Sequence, residues 1–113
     1  MINAVHSILF ARDADAARAF FADVLGLDSV DAGGGWPIFA LPPAELAVHP
    51  ADEPRQELYL MTDDLDAALG ALRERGVRVV SEPSDEGWGV LAAVEVPGYG
   101  PIGLYEPRHP VPR

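Results

Sequence analysis

What most constrains the fold of this chain is an internal echo. His6-Ser7-Ile8-Leu9-Phe10-Ala11-Arg12-Asp13 leads into an amphipathic segment that stops at Gly26-Leu27, and Glu57-Leu58-Tyr59-Leu60-Met61-Thr62-Asp63-Asp64 leads into a second that stops at Gly76-Val77. In each copy an ionisable residue opens an apolar run, an aspartate stands where a helix should begin, and a glycine closes that helix about a dozen residues further on. A repeat of roughly fifty residues is what a duplicated strand-helix-strands module leaves behind.

Taken in order, residues 2–10 alternate enough, with β-branched and aromatic content, to read as a strand. Asp13 or Asp15 caps a helix whose apolar positions Ala16, Ala17, Phe20, Phe21, Val24 and Leu25 recur at three and four, and Gly26 is its left-handed stop. Residues 27–30 form a short strand and 31–35 a glycine-rich loop. Residues 36–41 are a strand, and 45–49 return as its hairpin partner after the Pro42-Pro43-Ala44 turn. Residues 50–55, rich in proline and charge, connect the halves.

The second half repeats the order. A strand at 56–62 precedes a helix at 65–75, capped by Asp63-Asp64 and striped by Leu65, Ala68, Leu69 and Leu72. Strands follow at 77–80, 88–96 and 102–106, with an acidic loop at 83–87 and a turn at 97–101. The prolines of 107–113 leave an extended tail. The expectation is an α+β fold: one domain over 1–113, made of two tandem βαβββ modules at 1–50 and 56–106 whose strands form a curved mixed sheet.

Composition narrows the partners. With 113 residues, 49% of them apolar, the chain has enough material for a single core. It has no cysteine, hence no disulfide framework and no thiolate chemistry, which suits a cytoplasmic protein. The apolar run after Met1 is too short and too interrupted for a signal peptide or membrane span. Eight basic against eighteen acidic side chains give a formal charge of −10, and the arginines are scattered, so neither nucleic acid nor an anionic membrane is expected as a partner. An acidic field draws in cations, or simply keeps the protein soluble. There is no Gly-x-Ser-x-Gly elbow or dinucleotide fingerprint, and Gly33-Gly34-Gly35 precedes a strand, so it lacks the helix N-terminus that binds phosphate.

The strand opening on His6, the helix start Asp13-Ala14-Asp15-Ala16-Ala17-Arg18-Ala19-Phe20-Phe21, the ending Val24-Leu25-Gly26-Leu27, and Asp64-Leu65-Asp66-Ala67-Ala68 with Arg75-Gly76-Val77 together resemble the vicinal oxygen chelate superfamily. That group includes glyoxalase I, extradiol dioxygenases, fosfomycin-resistance enzymes and bleomycin-resistance proteins. The resemblance implies a cup-shaped sheet and, in the metalloenzymes, a metal held by first and last strands of each module. It assigns His6 and Glu57 to first-strand ligand positions and Ala47 and Gly103 to last-strand positions. Neither of the latter can bind a metal, leaving two ligands where three are usual. A displaced third ligand would be His49, which shares the face of Ala47 by strand alternation.

Alternation along the same strands puts Ile8 and Phe10 with His6, Tyr59 and Met61 with Glu57, and Tyr105 with Gly103, while Ser7, Leu9, Leu58 and Leu60 meet the helices. The concave wall expected from these residues, with Ala47 and His49, is apolar and aromatic with a few polar points, the character of a small-molecule site. Trp36 and Trp88 follow glycine-rich loops at matching places, suiting either a lid that stacks on a planar or cationic ligand or a plug at the end of the sheet.

Three functions follow. The first is a metal-free protein of the bleomycin-resistance type that sequesters a small organic ligand in the cup. The second is a divalent-metal lyase, isomerase or extradiol dioxygenase using His6 and Glu57, with His49 or a partner chain completing the site. The third is a metal-free enzyme with His6 as base and Glu57 as its acid-base companion. In each case a homodimer is expected, because exposed strand edges benefit from pairing.

Overall fold

The computed structural model describes residues 6–45, 47–53 and 55–111. The chain divides into two compact units, residues 1–45 with 97–99 and residues 46–96 with 100–113.

In the first unit, helix α1 (Ala14–Ala19) is opened by Asp13, whose carboxylate accepts a hydrogen bond from the Ala16 amide at 3.0 Å. The helix continues as a π-helical turn, Phe20–Val24, closed by the Leu25 amide donating to the Phe20 carbonyl at 3.1 Å. That wider turn sets Phe20 edge-on to Phe21, with centroids 5.4 Å apart; Phe20 is buried, while Phe21 is half-buried and leans on Phe39 at 6.0 Å. Strands β1 (Ser29–Asp31) and β2 (Pro37–Phe39) then form an antiparallel hairpin. Gly98 closes against the helix start: the Asp13 amide donates to its carbonyl at 3.1 Å, and a Cβ at Gly98 would stand 2.7 Å from Asp13 Cβ.

Two expected strands of this half are not seen among the described residues. Residues 6–10 join no ladder, although their exposure still alternates, with Ser7 and Leu9 half-buried and His6, Ile8 and Phe10 outward. The alternation expected from the sequence is therefore present without the strand, because period two describes side chains and a strand also needs a partner. The start of that expected strand, residues 1–5, lies outside the described residues, as does Leu46. Around Leu46, Glu45 and residues 47–49 are exposed and unladdered. Pro42, Pro43 and Pro50 bracket this segment and offer no ladder donors on either side of it.

The second unit holds β3 (Tyr59–Met61), helix α2 (Leu65–Glu74), β4 (Val79–Asp85), β5 (Gly89–Val96) and β6 (Gly100–Pro107). Its four-stranded sheet runs β3-β6-β5-β4, parallel between β3 and β6 and antiparallel elsewhere, so the unit is βαβββ with a mixed sheet. With the helix and hairpin of the first unit this is an α+β fold.

Both ends of α2 are specified locally. Asp64 accepts from the Ala67 amide at 3.1 Å, and Glu106 of β6 reaches in to accept from the Leu65 amide at 3.0 Å. At the other end Gly76, at φ +80°, lets its amide bond the Arg73 carbonyl while the Val77 amide bonds that of Leu72, the paired bonds of a Schellman stop. Arg73 forks onto Glu82 of β4 at 2.6 and 2.7 Å. Edge strand β4 is longer than expected and absorbs Pro83 by shifting register twice, which blunts it as a template for aggregation.

The core of this unit lies between α2 and one sheet face. Leu65 and Leu69 are buried there with Ala92, Val94, Val96, Ile102 and Leu104. Leu69 is 1% exposed, so Leu69→Ala is expected to lower the unfolding free energy by about 2–5 kcal/mol. Urea denaturation checks this; a loss below about 1 kcal/mol would show that α2 is not seated as described.

Candidate functional site

A sheet with one helix keeps a second face, and the second unit builds that face from aromatic side chains. Register aligns Tyr59 of β3 with Gly103 of β6 and Ala93 of β5 in one row, and Met61 with Tyr105 and Leu91 in the next. Side chains alternate, so these residues point away from α2. Tyr105 is the hub: its ring meets Tyr59 edge-on at 5.8 Å and Trp88 edge-on at 5.3 Å, and the His109 ring lies 6.1 Å away. Edge-to-face contacts of this kind add to plain burial. Tyr105 is buried, Tyr59 and His109 half-buried, and Trp88 exposed.

Polar groups sit at the rim. Tyr59 donates its hydroxyl hydrogen to Glu57 Oε2 at 3.0 Å, and the Arg55 guanidinium stands 3.8 Å from the other Glu57 oxygen. Burial, reinforced by the hydrogen bond to Glu57 and its negative charge, pushes the Tyr59 hydroxyl above its ordinary pKa of 10.0. His109 Nδ1 lies 2.8 Å from the Pro110 carbonyl, which only a protonated nitrogen can bond; in the neutral ring Nε2 is then the acceptor facing the Tyr105 hydroxyl at 3.4 Å.

Trp88 is positioned by its loop. Asp85 accepts from the Gly87 amide at 2.9 Å, the Glu86 amide bonds the Gly89 carbonyl, and Arg108 both donates its amide to the Trp88 carbonyl and places its guanidinium 2.5 Å from Asp85. The Gly87 N–H first, and Arg108 second, hold the Asp85 carboxyl below its ordinary 3.8. The β1–β2 loop has the same construction, with Asp31 accepting from the Gly33 amide at 2.7 Å and the Ala32 amide bonding the Trp36 carbonyl. These loops are hydrogen-bonded turns rather than loose glycine hinges. Asp-x-Gly ahead of tryptophan, repeated in both halves, is the sequence signal that marks them.

The expected site residues divide accordingly. Tyr59, Met61, Gly103 and Tyr105 share the sheet face turned away from α2, and Trp88 packs on it. His6, Ile8, Phe10 and Trp36 belong to the first unit, all four exposed, and the Arg18 guanidinium already covers the Trp36 ring at 5.1 Å. Ala47 and His49 are exposed in a segment without a strand, so the alternation that linked them has no sheet face to act on. Gly103 does not deepen a hollow, because the Tyr59 ring occupies the space its side chain would take. His109, Leu91 and Ala93 escaped sequence reading: the tail's prolines suggested only an extended surface segment, and no pattern pointed back to the sheet. An open apolar depression of about 230 Å³ lines the β1–β2 hairpin between Asp28, Val30, Ile38 and Ala40, and contains none of the expected residues.

The donors do not fit a three-ligand metal site. Among the described residues no three His, Asp or Glu side chains gather as a ligand set. Glu57 is engaged by Tyr59, and Ala47 and Gly103 offer no donor atom. No helix among the described residues is long and apolar enough to cross a membrane.

Two titrations test the rim. Tyr59 should ionise above its ordinary value, and Glu57→Gln should bring it down only part-way, since burial is the larger cause; absorbance at alkaline pH, differenced against Tyr59→Phe, reads both. Because the folded pKa is raised, this group's contribution to stability is present below pH 10 and is lost as pH rises through the folded value. In carboxyl NMR, Arg108→Ala should raise the Asp85 pKa while leaving it below 3.8, because the Gly87 bond persists. The Asp85 contribution is present above that ordinary value and is lost as pH falls through the lowered one.

Known proteins place this architecture. The sequence profile of the Glyoxalase/Bleomycin resistance protein/Dioxygenase superfamily matches residues 3–107. Among solved structures, an antibiotic binding protein, TnmS3, from Streptomyces sp. CB03234 is 30% identical with a TM-score of 0.64, over 95% of this chain and 99% of that one. A glyoxalase/bleomycin resistance protein from the same organism is 30% identical with a TM-score of 0.59, over 86% and 94%. A superfamily member from Sphaerobacter thermophilus DSM 20745 is 25% identical with a TM-score of 0.63, over 92% and 97%. No match is found among curated protein sequences.

Proposed function

This chain belongs to the Glyoxalase/Bleomycin resistance protein/Dioxygenase superfamily, and on that premise we propose that it binds a small organic molecule of antibiotic type without metal chemistry. The observation that carries the reading is the aromatic face of the second unit, where Trp88, Tyr105, Tyr59 and His109 cluster opposite the helix-covered core. A face of rings with a few polar points at its rim suits a flat organic guest. Support also comes from the 30% identity to an antibiotic binding protein along nearly the whole chain. The charge of −10 favours a cationic guest. The metal-dependent reading has less behind it, since the family's last-strand positions are held here by Ala47 and Gly103.

The proposal extends to a cytoplasmic homodimer. The cysteine-free sequence supports the compartment, and the outer edge of β3, at the end of its sheet, supports pairing.

Copper-free bleomycin and proflavine, a planar cationic tricycle, are suitable probes. Either is expected to change Trp88 fluorescence and release heat on titration, with Trp88→Ala weakening binding several-fold to about tenfold. Absence of both signals for both compounds at about 1 mM would overturn the reading.

A further inference from the structure

Tyr59 has two relationships that together describe a binding place. Its ring lies on Gly103 so closely that a Cβ there would stand 2.5 Å from Tyr59 Cε1 and nearer still to Cδ1. No residue with a side chain fits beneath it without moving the ring. Ala93, paired with Gly103 in register, extends the same floor of small residues. Tyr105 supplies an aromatic wall at 5.8 Å. At the open end the Tyr59 hydroxyl meets Glu57, whose side chain is 56% exposed and whose segment, residues 55–58, precedes the strand.

We propose that the space above Gly103 is a subsite for a phenolic ring, and that Tyr59 is the chain's own occupant of it, displaced when a ligand brings a ring of its own. The proposal rests on the ligand-binding reading above and narrows the guest to a hydroxylated aromatic. Each contact made by Tyr59 is one that such a guest repeats: a flat apolar ring on a glycine floor, an edge against Tyr105, and a hydroxyl hydrogen donated to Glu57. Tyr59 is only half-buried, and its side chain turns about χ1 and χ2 toward solvent without breaking the β3 ladder, whose bonds belong to the backbone. The occupant also taxes the site, since a guest binds only the fraction of molecules whose subsite is free.

The test uses p-cresol, which is the tyrosine side chain detached, and toluene as its counterpart without the hydroxyl. Affinities are read by ligand-observed NMR on the parent chain, Tyr59→Ala and Tyr59→Ala combined with Gly103→Val. Tyr59→Ala is expected to bind p-cresol at least tenfold more tightly than the parent and several-fold more tightly than it binds toluene; Gly103→Val should abolish that gain. Equal p-cresol affinity in parent and Tyr59→Ala, or a gain that survives Gly103→Val, would overturn the subsite. Should Tyr59→Ala fail to fold, Tyr59→Phe keeps the ring but loosens its hold on Glu57. It should then bind p-cresol about two- to fivefold more tightly than the parent, and no gain would overturn the proposal. If bleomycin or proflavine binds the parent while p-cresol gains nothing from these changes, the subsite fails and the broader function stands. If p-cresol gains as expected while the parent binds neither larger probe, the broader function fails and the subsite stands.

Discussion

One helix can dry only one face of a sheet. In the second unit α2 spends its apolar stripe, Leu65 and Leu69, on the face carrying Ala92, Val94, Val96, Ile102 and Leu104. The opposite face carries its own side chains, and in this unit they are rings. Tyr105 is buried although it follows the equally buried Leu104, so β6 is enclosed on both sides, by helix on one and by aromatics on the other. That division of labour within one unit produces both a core and a candidate site.

The rings are held by polar contacts at their margins. Arg108 fastens the tail to the Trp88 carbonyl and to Asp85, while Glu57 tethers the Tyr59 hydroxyl. The Arg108–Asp85 ion pair is not buried, and exposed pairs contribute little to stability. Their effect is to reduce the number of positions open to Trp88 and Tyr59, which serves recognition more than folding.

Local signals were legible. The aspartates at 13 and 64 cap helices, Gly76 ends α2 through its positive φ, and the order of elements in the second half reads directly from its periodicity. Alternation put Tyr59 with Met61 on one strand and Gly103 with Tyr105 on another, and the register of the paired strands joins the two pairs on one face. Among the described residues, 6–10 and 47–49 are unpaired, so the same pattern there aligns with no sheet face. His109 reaches the site through the path of the tail, for which no short-range pattern exists.

The sequence by itself determined which segments are helix, where each helix starts and stops, and which side chains of a strand travel together, because these depend on neighbours within a few residues. Family membership belongs here too, since the match over residues 3–107 is a property of residue order. Only the tertiary structure decided what fills the space above Gly103. A missing Cβ in the sequence is an opening of unknown use; packing shows a tyrosine ring from another strand lying in it, with its hydroxyl on Glu57. Which groups meet across strands depends on register and on competition for one volume, and neither is written in any local stretch of the chain.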